Sequence, residues 1–202
     1  MDPQTRGYSL SCERNRQPIL MVLKDHFADR REVLEVGSGT GQHAAYFAGA
    51  LRHLIWQASD RKDYLHGIGQ WLLEAQRDDL PPPMELDVNG HWPKKRYDAV
   101  FSANTFHIMS FVEVEKFFKG VDQCLSADGK LVLYGPFNYH GKYTSDSNAQ
   151  FDASLKSLNR LQGIRNFEDI DDLAHGIGLE LIEDRPMPAN NHCLVYQRLG
   201  RN

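Results

Sequence analysis

Apolar positions along this chain recur at two periods, and the alternation between them predicts its elements. Ile19, Leu20, Leu23 and Phe27 repeat at helical spacing behind Pro18, which suits a first helical turn, so a helix is expected over residues 17–28. The run Val33-Leu34-Glu35-Val36 reads as a strand, and a helix-like segment follows from Gln42 to Leu51. Residues 54–60 predict a second strand. Leu65, Ile68, Leu72 and Ala75 then give the buried stripe of a helix over 62–77. Pro81-Pro82-Pro83 stops that region before a third strand over 84–88. A fourth strand over 97–102 leads to a helix over 111–124, and Asp128-Gly129 turns into a fifth strand over 130–134. Such alternation implies an α/β fold with a mostly parallel, doubly wound sheet. The tail departs from it. Two helices, over 148–162 and 167–176, precede strand-like segments 179–183 and 193–198, with Pro186, Pro188 and Asn190-Asn191 suiting a hairpin between them.

At 202 residues the chain fits one domain. Within it, residues 1–28 read as an N-terminal cover segment and helix. Residues 137–166, rich in Asn, Ser, Tyr and Gly, read as an insertion over the ligand face and a lid. The formal charge of −4 gives no support for a nucleic-acid partner. No apolar run approaches the ~20 residues of a membrane span, and residues 1–16 lack the apolar region of a secretory signal. A cytoplasmic location is therefore expected. Cys12, Cys124 and Cys193 form no close pair, so neither a disulfide framework nor a metal site is expected.

The chemistry concentrates in Glu35-Val36-Gly37-Ser38-Gly39-Thr40-Gly41. Three glycines at alternate positions between a strand and a helix allow positive φ and a close ligand approach. In an open α/β sheet that turn is where a nucleotide-like cofactor sits. A dinucleotide fingerprint needs G-x-G-x-x-G, but position 42 is Gln42, which disfavours an NAD-linked oxidoreductase. Asp60 ends the second strand, where a carboxylate can accept two ribose hydroxyls. Asp87 stands at the end of the third strand, and Val88 can offer a backbone amide to a ring. Glu35 at the first strand's end can accept bonds from an amine or an ordered water. Carboxylates at 35, 60 and 87 suit a cofactor carrying an ammonium and a sulfonium.

The E-x-G-x-G-x-G run resembles the first motif of class I S-adenosylmethionine (SAM)-dependent methyltransferases. The whole chain is similar to one group within them, a small methyltransferase-like family formerly a domain of unknown function. That likeness rests on Ser11 to Ile19, Leu34 to His43, Asn104-Thr105-Phe106-His107-Ile108, Gly135-Pro136-Phe137, Thr144 to Asn148, Gly163-Ile164-Arg165 and Met187 to Asn191. The resemblance implies a Rossmann-like seven-stranded sheet, five parallel strands plus a C-terminal antiparallel pair. It also implies SAM as methyl donor and S-adenosylhomocysteine as product, with cofactor contacts from Glu35, Gly37, Ser38, Gly39, Gly41, Asp60, Arg61, Asp87, Val88 and Asn104. It implies no particular acceptor.

Methyl transfer needs a nucleophile placed in line behind the methyl group and, where required, removal of a proton. Residues after the fourth and fifth strands should face that point. His107, whose ordinary pKa is ~6.5, is the candidate general base; the bland alternative is a packing or capping histidine. The Asn/Asp-Pro-Pro-Tyr/Phe motif of amino-group methyltransferases is absent. Arg14, Asn15 and Arg16, just before the first helix, are candidate acceptor contacts, where an Arg can hold a carboxylate of the acceptor or of the donor. Phe137, Asn138, Tyr143, Asn148 and Asn191 complete that set, suiting a small polar molecule. A non-catalytic SAM-binding or partner-binding protein is the competing reading, and the oligomeric state stays open.

Overall fold

Seven strands form one sheet in the computed structural model, which describes residues 7–198. They are β1 (Glu32–Val36), β2 (Ile55–Asp60), β3 (Met84–Glu85), β4 (Tyr97–Ala103), β5 (Leu125–Gly135), β6 (Leu179–Met187) and β7 (Asn191–Arg198), in the order β3-β2-β1-β4-β5-β7-β6. The first five pair in parallel, and β7 inserts antiparallel between β5 and β6. The expected fold class is therefore present. From β1 the sheet grows one way through β2 and β3, then the other way through β4 and β5. The carboxyl ends of β1 and β4 consequently flank a crevice, the place where such sheets take ligands.

Helices α1 (Leu10–His26), α2 (Gln42–Ala50) and α3 (Leu65–Leu72) cover one face, burying Ile19, Leu23, Phe27, Phe47 and Ile68 against Val33, Trp56 and Phe101. Helices α4 (Phe111–Cys124) and α6 (Phe167–Gly176) cover the other with Phe117, Phe118, Val121 and Ile170. Because both faces are covered, β1 is buried from Val33 to Val36, the Glu35 carboxyl included. A Ser110–Glu113 capping box starts α4 where its stripe begins. Among the described residues, no helix is long and apolar enough to cross a membrane.

Several boundaries differ from expectation. Helix α1 begins at Leu10 rather than residue 17, because Ser9 caps it by accepting from the Cys12 amide; Pro18 lies inside it. Arg14, Asn15 and Arg16 are thus helical residues, not a segment before the helix. The first six residues of the anticipated cover segment lie outside the described residues. Strand β3 stops at Glu85, since Asp87 folds an Asx turn in which its Oδ1 accepts from the Asn89 amide at 2.8 Å. Strands β5 and β6 are longer than their apolar cores, extended by ladder bonds rather than by side-chain pattern. In the 137–166 segment, Phe137–Asn138 pairs in parallel with Arg165–Asn166, and α5 (Asp146–Leu158) rises between them.

Candidate functional site

The turn after β1 depends on backbone that L side chains rarely adopt. Gly37 and Gly41 have φ of +77° and +90°. A Cβ on Gly41 would stand 2.7 Å from the Ile68 Cα, and one on Gly37 2.5 Å from the Thr105 Cγ2. Only glycine lets α3 and the β4–α4 loop approach the turn this closely. The Gly37 and Ser38 amides donate to the Ser59 carbonyl, and the Gly39 amide donates to the Asp60 carboxylate at 2.7 Å. Loop and second strand end are therefore one hydrogen-bonded unit.

That unit forms one wall of a cavity of about 930 Å³ at the carboxyl edge of the sheet. Gly37, Ser38, Gly39, Asp60, Arg61, Asp87, Val88 and Asn104 all line it. Burial raises the pKa of Asp60, opposed by hydrogen bonds from the Gly39 and Arg61 amides. Asn104 occupies the left-handed region at φ +59°, held there as its amide donates to the Tyr134 carbonyl at 2.8 Å. Two anticipated residues do not reach the wall. Gly41 sits beneath the loop, packed on α3. Glu35 lies in the core, 1% exposed, with its carboxylate accepting from the Trp56 indole at 2.8 Å. Burial pushes that carboxyl up to about 7.

The opposite wall comes from segments distant in sequence. His107 is 8% exposed and edge-on to Phe151, 5.1 Å between centroids. Burial, and secondarily the Arg165 charge, push its pKa down to about 4, so the imidazole is neutral at ordinary pH and a weak base. Its loop is strapped: Arg165 donates to the carbonyls of Phe106, Met109 and Leu161, and the Gly163 amide donates to the His107 carbonyl. Asn148 and Phe151 from α5 and Asn191 from β7 also face the cavity. Asn148 donates to Thr144 Oγ1 at 2.8 Å and to the Asn190 carbonyl at 3.1 Å, joining the insertion to the terminal hairpin.

Of the anticipated acceptor contacts, Arg14, Asn15, Asn148 and Asn191 line the cavity. The other four do not. Arg16 pairs with Glu13 at 2.8 Å and lies over the Tyr46 ring. Phe137 is part of the α4–α6 core. Asn138 is buried in the short strand pair at the base of the insertion, and Tyr143 donates to Asp152 at 2.6 Å. Cys12, Thr40, His43 and Tyr134 also line the cavity, though the motifs do not point to them as ligand contacts. Tyr134 carries a readable signal, since it occupies the carboxyl end of β5 beside the crevice. His43 carries one as well, standing in the first turn after the glycine loop. Among the described residues, no three of His, Cys, Asp and Glu group to hold a metal.

A family profile described as "Protein of unknown function (DUF938)" matches residues 6–198. Among solved structures, the chain resembles an O-methyltransferase family protein from Burkholderia thailandensis, with TM-score 0.83, 16% identity, and coverage of 95% of this chain and 58% of that one. It also resembles the apo form of the SAM-dependent methyltransferase SibL (TM-score 0.79, 17% identity, 93% and 55%). A third is human N-acetylserotonin methyltransferase in complex with SAM (TM-score 0.78, 12% identity, 95% and 53%). The chain spans a little over half the length of these proteins. At such identities the likeness is one of fold.

Proposed function

The chain belongs to the DUF938 family, and from that premise and the site's geometry we propose that it is a single-domain SAM-dependent methyltransferase acting on O, N or S of a small polar acceptor. The observation that carries this reading is the convergence of the glycine loop, Asp60 and Asp87 on one cavity at the switch point of this strand order. The donor set fits SAM. Asp60 already orders the loop and keeps lone pairs for ribose hydroxyls. Asp87 and the Val88 amide stand where adenine's exocyclic amine and ring would be met. The cavity is lined by two arginines, Arg14 and Arg61, against three carboxylates, Asp60, Asp87 and Glu113, so it offers no excess of positive charge, which suits a donor with no pyrophosphate.

When bound, the donor supplies an electrophilic methyl on a sulfonium. The chain's own residues position and desolvate. The 137–166 segment, acting as a lid, brings Asn148 and Phe151 over the far wall and excludes water. Amides of Asn148 and Asn191 orient the acceptor, while His107, held neutral, receives a proton from its nucleophile. With so low a basicity, His107 serves a nucleophile already acidic, such as a phenol or thiol, better than an alcohol. The enzyme is expected to work in the cytoplasm. Calorimetric titration with S-adenosylhomocysteine tests the donor site, and transfer of labelled methyl from SAM to metabolite extracts tests turnover. Absence of binding to folded protein would overturn the proposal; binding without any transfer would leave the non-catalytic reading standing.

A further inference from the structure

The backbone of residues 105–109, which carries His107, is bonded from two sides. From within, the Thr105 carbonyl accepts the Ile108 amide at 3.0 Å and the Met109 amide at 3.1 Å, while the Thr105 hydroxyl meets that of Ser102 at 2.8 Å. From outside, one short stretch of the insertion serves three more carbonyls. The Gly163 amide donates to the His107 carbonyl at 2.9 Å, and Arg165 Nε donates to the Phe106 carbonyl at 3.1 Å. Arg165 Nη2 donates to the Met109 carbonyl and, at 2.8 Å, to that of Leu161. Charges removed from water are normally paired. Half-buried Arg165, however, has no carboxylate within ion-pair distance among the described residues. The acids of the adjoining elements are spent elsewhere. Asp152 on α5 accepts from the Ile164 amide at 2.7 Å, and from Tyr143 and Lys156 at 2.6 Å each. Glu113 on α4 accepts from the amide and hydroxyl of Ser110. Neutral donors could tie the same carbonyls; a guanidinium adds a charge that no ion pair cancels.

We propose that Arg165 is the positioning residue of the acceptor wall: its fork fixes the loop that carries His107, and its charge keeps solvent protons off the imidazole. The inference rests on the role given to His107 above. Fixing the loop sets the imidazole edge-on to Phe151 at the cavity wall. After burial, the Arg165 charge is what holds that imidazole down, at about 4. The other charged groups around His107 are Asp152 and Lys156 on α5 and Glu113 on α4. Across the cavity stand Arg14 on α1, and Asp60, Arg61 and Asp87 at the ends of β2 and β3. Asp152 and Lys156 pair with each other, which leaves Arg165 as the uncancelled charge on this side. A base kept free of protons through the mildly acidic range is ready whenever an acceptor enters.

Two substitutions divide fork from charge. Arg165→Lys keeps the charge but cannot bridge three carbonyls, and Arg165→Gln loses both. Proton NMR of the full, ligand-free chain reads both effects at His107. In Arg165→Gln the His107 titration midpoint should rise by about half a pH unit or more. In Arg165→Lys the midpoint should stay near wild type, whereas the ring-current shift from Phe151 should shrink as the loop loosens. Labelled-methyl transfer from SAM to metabolite extracts should fall about tenfold in both variants, with S-adenosylhomocysteine affinity within about twofold of wild type by calorimetry. An unmoved midpoint in Arg165→Gln would overturn the assignment, as would an unchanged ring-current shift or unchanged transfer in Arg165→Lys. Should Arg165→Gln fail to fold, the milder Arg165→Lys decides alone. No transfer by wild type, with both resonances behaving as expected, would instead sink the methyltransferase reading and leave the placement of Arg165 standing.

Discussion

The two walls of the cavity are built on opposite principles. The wall from β1, β2 and β3 is made largely of backbone. Its shape comes from glycines in the left-handed region, amides bonded to Ser59 and Asp60, and an Asx turn at Asp87. The wall from the β4–α4 loop, α5 and the terminal turn is made of side chains, with His107, Asn148, Phe151 and Asn191 held by Arg165 and by links across the chain. A backbone-built wall tolerates few residue types and so keeps one ligand. A wall built of side chains can be re-lined without disturbing the sheet, which suits a fixed donor opposite a variable acceptor.

The comparison can be broken at its strictest point first. Gly41→Ala places a Cβ against the Ile68 backbone at positive φ, and should cost roughly 3–4 kcal/mol of unfolding free energy in urea titration. A loss under about 1 kcal/mol would mean that the loop is not so constrained. Glu35 supplies a second test, on the order of 3 kcal/mol. Its folded pKa, about 7, lies above its ordinary 4.5. Stability should therefore fall as pH rises from about 4.5 to about 7, since the unfolded chain releases this proton first, and level off above that. Glu35→Gln keeps an acceptor for Trp56 but cannot titrate, so its unfolding free energy should lack that fall. Its affinity for S-adenosylhomocysteine should stay near wild type, because the carboxylate does not line the cavity.

The side-chain wall is probed by His107→Gln. Turnover should drop about a hundredfold, or about 2.7 kcal/mol of barrier, with S-adenosylhomocysteine affinity unchanged. An unchanged rate would leave His107 as a packing residue. Asp60→Asn tests the backbone wall in return. Loss of the charged acceptor for the Gly39 amide and the ribose should weaken S-adenosylhomocysteine by about 2 kcal/mol, roughly thirtyfold. The smallest effect sharpens the contrast. Ala189, at φ +59° in the terminal turn, lines the cavity without a glycine's freedom. Ala189→Gly should raise stability by only about 0.5 kcal/mol, strain relief being partly offset by unfolded-state entropy.

This division also explains what the sequence makes readable. The succession of strands and helices, the glycine loop and the positions of Asp60 and Asp87 are legible because each is a local pattern. The acceptor wall is only half legible. Asn148 and Asn191 stand out as polar residues near the ligand face, but Asn138 and Tyr143, of the same kind and from the same stretch, do not line the cavity: Asn138 is buried and Tyr143 donates to Asp152. Whether a loop amide faces a cavity depends on contacts tens of residues away, such as Asn148 with Asn190, which no local period encodes. His43 escapes a sequence reading for a related reason. A lone histidine signals nothing until Asn15, 28 positions earlier, is seen beside it. Asn15 in turn falls inside α1 rather than ahead of it, because Pro18 suggests a first turn where the helix is already under way.

Gln42 occupies the position where a dinucleotide-binding loop would carry its third glycine. Its side chain accepts from the Ser9 amide and the Thr40 hydroxyl, and donates to Ser9 and Glu13. The residue that disqualifies one cofactor class is thus the rivet that clamps the leading helix onto the loop. Replacing it with glycine would not restore pyrophosphate recognition; it would unfasten the roof.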